Sequence, residues 1–126
     1  MALAFVTPKI PSPRRVILLG ASTDGWYQAS AEARREQVLP AMQALFNEWL
    51  EMGAKPLATV DDDLFMVGSP GSPDFTWYLI YDVPSAEILA AMIHRVRTDR
   101  DGVRLDRYMR LEARMGRPFF LIEPGH

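Results

Sequence analysis

Phe75-Thr76-Trp77-Tyr78-Leu79-Ile80-Tyr81 places a large apolar or aromatic side chain at almost every position. Successive side chains of an extended strand point to opposite faces of its sheet, so this run needs cover on both. A half-solvated antiparallel strand would alternate polar with apolar residues. Leaving either Tyr78 and Ile80, or Trp77, Leu79 and Tyr81, in water would create the kind of apolar patch that marks an interface.

The segments on either side of this strand supply the rest of a small sheet. Upstream, Ser69-Pro70-Gly71-Ser72-Pro73-Asp74 is dense in turn formers, which predicts a hairpin. Its other arm is a strand over residues 55–68, interrupted at Asp61, Asp62 and Asp63 by a bulge that separates like charges. Earlier still, residues 15–21 form a short apolar run containing Gly20, as expected of a strand covered on both sides. Between these strands, Ser30 caps a helix whose apolar stripe is Val38, Met42, Leu45 and Trp49, widened by Leu39, Phe46 and Leu50. Pro40 predicts a kink in it, and Gly53 ends it.

Downstream, Pro84 and Ser85 start a second helix with Ile88, Leu89, Met92, Ile93 and Val96 on one face. Residues 98–103 read as a charged loop around Gly102. Residues 108–115 then alternate strictly: Met109, Leu111, Ala113 and Met115 on one side, Tyr108, Arg110, Glu112 and Arg114 on the other. The order strand, helix, strand, strand, helix, strand is that of an α+β ferredoxin-like β-α-β-β-α-β domain with an antiparallel four-stranded sheet. Right-handed crossovers put both helices on one face of that sheet and leave the other bare. A second copy packed sheet to sheet would cover it, so a homodimer with a chamber between the sheets is expected.

The chain has 126 residues, which suits a single domain over 15–126 preceded by a proline-bearing arm over 1–14 that contains Pro8, Pro11 and Pro13. A formal charge of -2 provides no net field to hold a polyanion, so nucleic acid is not an expected partner. The absence of cysteine removes thiol chemistry and fits a reducing, cytoplasmic setting. No signal peptide or membrane span is recognisable, so no membrane partner is expected. Phosphate-binding glycine loops, HExxH and GxSxG are all missing from the sequence, and no cofactor or metal is expected.

Candidate site residues come with a bland alternative in each case. His94, the one internal histidine, is suited to proton transfer, yet it lies at the margin of a helix face, where a surface role serves equally. Asp62 is the member of the acidic triplet expected to face inward as a general base, against a bulge that simply exposes charge. Tyr108 and Glu112 would handle protons and Arg110 or Arg114 would hold a carboxylate, unless that strand face is only solvated. Trp26 and Tyr27, read as a loop over the chamber, and Trp77 and Tyr78 on the sheet would enclose a planar ligand, or else pack the core.

The segments Asp61-Asp62-Asp63-Leu64-Phe65-Met66-Val67-Gly68, Phe75-Thr76-Trp77-Tyr78 with Asp82-Val83-Pro84, and Tyr108 with Glu112-Ala113-Arg114-Met115-Gly116-Arg117 resemble the small IacB-type proteins of bacterial indole-3-acetic acid degradation clusters. The resemblance spans roughly residues 15–120 and implies a dimeric α+β barrel. It also implies handling of an oxidised indole or similar aromatic acid, and assigns no catalytic residue. The expected function is a cofactor-independent enzyme acting on a small aromatic acid or its oxidation product, by isomerisation, hydrolysis or cofactor-free oxygenation; the rival is a non-catalytic dimeric binding or accessory protein for such a ligand.

Overall fold

The computed structural model describes residues 14–68 and 75–123. The expected arm over 1–14, apart from Arg14, and the turn over 69–74 lie outside the described residues. Four long strands, β1 (Arg15–Ser22), β2 (Lys55–Asp61), β3 (Trp77–Asp82) and β6 (Met109–Gly116), form one open antiparallel sheet in the order β2-β3-β1-β6. Two further strands, β4 (Asp99–Arg100) and β5 (Val103–Arg104), make a separate small hairpin. The domain is therefore of mixed α+β type.

The helical layer begins with α1 (Asp24–Gln28) and α2 (Ala31–Ala33), continues through a π-helical segment Arg34–Val38 into α3 (Leu39–Glu51), and is completed by α4 (Ala86–Arg95). Ser30 caps α2 by accepting from the Ala33 N–H at 3.0 Å, and Ser85 caps α4 by accepting from the Ile88 N–H at 3.1 Å. Pro40 sits in the first turn of α3 and lacks an N–H to give. Where Pro40 predicts a kink, the structure has a π-helical segment ending just before α3, with the Leu39 N–H reaching the Arg34 carbonyl five residues back. At the far end Gly53, at φ +96°, lets its own N–H return to the Leu50 carbonyl and that of Ala54 to the Trp49 carbonyl, both at 3.0 Å.

One face of the sheet carries the core. Val16 and Leu18 of β1 meet Tyr81 and Leu79 of β3, and Met115 and Ala113 of β6, in register. Fully buried Leu45 and Trp49 of α3 and Met92 of α4 pack over this face. The Trp49 indole donates to the Met92 carbonyl at 3.1 Å and meets the Tyr81 ring edge-on at 5.7 Å, which fixes the two long helices to each other and to the sheet. Burying each such large side chain contributes about 1.5–3 kcal/mol.

Three sequence expectations need correction. Residues 64–68 are not strand: β3 begins opposite Asp61, so the chain beyond has no ladder partner among the described residues, and Leu64 is 93% exposed. The bulge lies between Pro56 and Ala58 instead of at the acidic triplet, because proline cannot donate to the ladder. The supposed loop over 98–103 folds as the β4-β5 hairpin, whose turn residues Asp101 (φ 54°) and Gly102 (φ 88°) both take left-handed conformations.

Candidate functional site

The second face of the sheet has an apolar centre. Ile17 and Leu19 of β1 lie in register with Ile80 and Tyr78 of β3, and Ala58 and Val60 extend the two rows onto β2. None of Ile17, Leu19, Tyr78 or Ile80 joins the core that the helices cover. Val60 is 55% exposed. On the other side, the same rows end in charge: Glu112 lies opposite Leu19, Arg114 opposite Ile17, and Arg110 opposite Ala21.

Polar groups converge at one end of this face, where β2 and β1 finish and β3 and β6 begin. The Tyr78 hydroxyl lies 3.0 Å from Asp62 Oδ2, to which it donates, and 3.1 Å from the Phe75 carbonyl. The Phe75 ring in turn lies 5.3 Å from the Arg110 guanidinium. Asp62, Tyr78, Phe75 and Arg110 are thus joined by successive contacts across three segments. The Asp62 N–H donates to the Thr76 carbonyl at 2.9 Å, and Thr76 donates to the Gly20 carbonyl at 2.9 Å, so the backbone holds this corner in place.

The electrostatics of the corner favour a protonated phenol. The hydrogen bond to Asp62 raises the Tyr78 pKa above its ordinary value, and desolvation and the Asp62 charge act in the same direction. Tyr78 therefore serves as a donor rather than a base, and Asp62 is the acceptor beside it. Glu112 is paired along its own strand with Arg114, whose Nε and Nη2 lie 2.8 and 2.6 Å from Glu112 Oε2. A groove of about 240 Å³ runs beside that pair, lined by Arg15, Ile17, Ile80 and Arg114.

The structure brings together Asp62, Tyr78 and Arg110, with Glu112 and Arg114 on the same face. It separates the other candidates. Trp77 points to the helix side, because only Gly20, opposite it, leaves room for the indole: a Cβ there would lie 2.2 Å from the ring. Tyr108 follows a short 3-10 turn (Leu105–Arg107), lies outside β6 and packs on the core, so it does not share the face of Arg110. His94 is exposed in the last turn of α4, on the helical layer.

Trp26 and Tyr27 belong to α1 rather than to a loop, and they too leave the site. Trp26 packs on the core beneath the Arg34 guanidinium, 5.0 Å from its ring, while its carbonyl accepts from Arg34 Nε at 2.8 Å. Tyr27 is 66% exposed. Sequence reasoning missed Phe75, whose position at the head of the aromatic run was the available signal, and it missed that Ile17 and Leu19 floor the site. No protein-family model, curated protein or solved structure matches the chain. No helix among the described residues is long and apolar enough to cross a membrane.

Proposed function

We propose that two copies of this ferredoxin-like domain pair through their open sheet faces and enclose a small aromatic acid, on which the protein acts without a cofactor. The strand order β2-β3-β1-β6 and the placement of the core on one face alone support the fold and the pairing. The observation that carries the site is the Asp62-Tyr78 hydrogen bond at the border of an apolar face. Ile17, Leu19 and Ile80 supply flat apolar contact for a ring, and Arg110 supplies the cation for its carboxylate. On binding, the single Tyr78 O–H turns from Asp62 to a substrate oxygen that gains charge, and Asp62, so released, accepts a proton from carbon or water and returns it to the product.

Isomerisation or hydrolysis of an oxidised aromatic acid falls within this chemistry, and an indole acid is the substrate class that the resemblance to IacB-type proteins suggests. The cytoplasm is the compartment that suits a chain without cysteine. A non-catalytic binding protein is the second reading, favoured by the Glu112-Arg114 pair, which commits two of the charged groups to each other.

Thermal shift with indole-3-acetate and related aromatic acids, followed by turnover assays, tests the proposal. A saturable shift that is lost in Arg110→Gln, with turnover lost in Asp62→Asn, is the expected result. A shift without turnover of any of these acids supports the binder instead. No shift at concentrations well above the expected affinity contradicts both readings.

A further inference from the structure

β2 and β6 are the outer strands of the sheet and run in opposite directions, so the chain leaves them at diagonally opposite corners. The two corners carry the same kind of sequence with the charge inverted. At the end of β2, Asp61-Asp62-Asp63 is followed by Leu64-Phe65-Met66-Val67; beyond β6, Arg117 and Pro118 are followed by Phe119-Phe120-Leu121-Ile122. All eight of these large apolar side chains are exposed. Both runs are nevertheless tied to the fold. Pro118 is buried, the Ile122 and Glu123 N–H groups return to the Phe119 carbonyl at 3.0 and 2.8 Å, and Glu123 Oε1 lies 2.6 Å from Arg15 Nη1. At the other corner Asp62 is held by the Thr76 carbonyl and the Tyr78 hydroxyl. Exposed apolar runs fixed in this way mark a contact surface, and aromatic residues, Met and Arg are the types that interfaces favour.

Among the described residues, neither the acidic triplet nor Arg117 forms an ion pair. Arg117 lines the groove on the open face with Ile17 and Ile80. Its neighbours there, Arg15 and Arg114, are already paired with Glu123 and Glu112, so Arg117 is the cation of that groove left to meet an outside carboxylate. These corners decide how two stacked copies are turned. With the two-fold axis along the strands, the 61–67 corner meets the start of β6, where Arg110 already lies against the Phe75 ring. With the axis across the strands, it meets the start of β2. Both arrangements keep the apolar runs apart. When the strands cross, one diagonal axis sets acid on acid, which is repulsive; the other sets the 61–67 corner of each copy on the 117–122 corner of its partner, acid to base and apolar to apolar.

We propose that the two copies cross at about 90°, each seating its 119–122 turn on the partner's 64–67 run. The crossing rests on the pairing proposed above and adds what each chain lends the other. It carries the partner's Arg117 over the corner held by Asp62 and Tyr78, so that each site is built from both chains. The partner's Arg117 supplies a cation for a ligand carboxylate at the border of the apolar face, and balances the acidic triplet when no ligand is bound.

Disulfide trapping of the full chain provides the test, because the sequence has no cysteine of its own. Phe65→Cys and Phe120→Cys fall at exposed positions on opposite corners, so only neighbouring chains can join them. Under mild oxidation at low protein concentration, the chain carrying both changes is expected to run as a covalent dimer on a non-reducing gel, and neither single variant is. Phe65→Cys combined with Lys55→Cys or with Arg107→Cys reports the uncrossed arrangements and should stay single. In sedimentation equilibrium, Arg117→Asp should weaken the dimer about tenfold, and adding Asp63→Arg should restore it. A wild type of single-chain mass at every concentration overturns the pairing and the crossing together. A wild-type dimer that links through a single variant, through the other combinations or not at all, or in which Asp63→Arg does not rescue Arg117→Asp, overturns the crossing and leaves the pairing standing.

Discussion

Trp77 and Gly20 face each other across β3 and β1, and the indole occupies the space that any side chain at position 20 would need. That contact decides which half of the aromatic run faces the helices and which half faces outward. Gly20→Ala would place a methyl 2.2 Å from the ring and force it or the strand to move. A loss of about 1–3 kcal/mol is expected, with a changed tryptophan fluorescence, in urea unfolding of the variant. An unchanged midpoint would mean that Trp77 is not seated there.

The Tyr78 phenol should titrate above its ordinary value of 10.0, because its proton is shared with Asp62. A phenol whose pKa is raised by folding adds stability that is present below the unfolded value and lost as pH rises through the folded one. Asp62→Asn removes the charge and should bring the phenol back toward 10.0. Ultraviolet titration of the two proteins, with Tyr78→Phe as the blank, checks this. Identical curves would show that the hydrogen bond is not formed in solution.

Glu48 of α3 accepts from Arg100 at two positions, Nη2 at 2.7 Å among them, and pairs with Arg95 at 3.3 Å. The hydrogen bond from Arg100 leads in lowering its pKa below the ordinary 4.5, against a smaller opposing effect of desolvation. Its contribution is present above that ordinary value and is lost as pH falls through the lowered one. Glu48→Gln should cost about 1 kcal/mol near neutrality and flatten the acid side of the stability curve below pH 4.5. Parallel acid-side curves for the two proteins would dismiss the pair as a contributor.

Trp49 links α3, α4 and β3 through one indole. Trp49→Phe keeps most of the apolar burial but leaves the Met92 carbonyl without its donor, and a loss of about 1–3 kcal/mol is expected in denaturant unfolding. Trp49→Ala should lose about 3–5 kcal/mol. A tryptophan that could be truncated at no cost would place the core elsewhere.

Much of this architecture was legible in the chain because local signals agreed with the fold. Ser30, Ser85 and Gly53 act as caps and stop where their chemistry requires, and the alternation from Met109 to Met115 identifies a strand despite residues that favour helix. Other features depend on partners that a single segment does not reveal. Residues 64–68 have strand-like composition, yet β3 offers nothing to pair with beyond Asp61. The facing of Trp77 and Tyr78 could not be read from a run that is apolar on both sides; Gly20, far away in sequence, sets it. Tyr108 continues the β6 alternation in the sequence, but the turn at Leu105–Arg107 breaks the period just before the strand starts.

The proposed pairing through the open face is tested most directly by sedimentation equilibrium of the wild-type chain and of Ile80→Asp, which puts a charge at the middle of that face. The expected result is a wild-type mass of twice the 14.3 kDa chain, and a folded variant of single-chain mass. A wild type that sediments as one chain at every concentration, or a variant that remains paired, would contradict it.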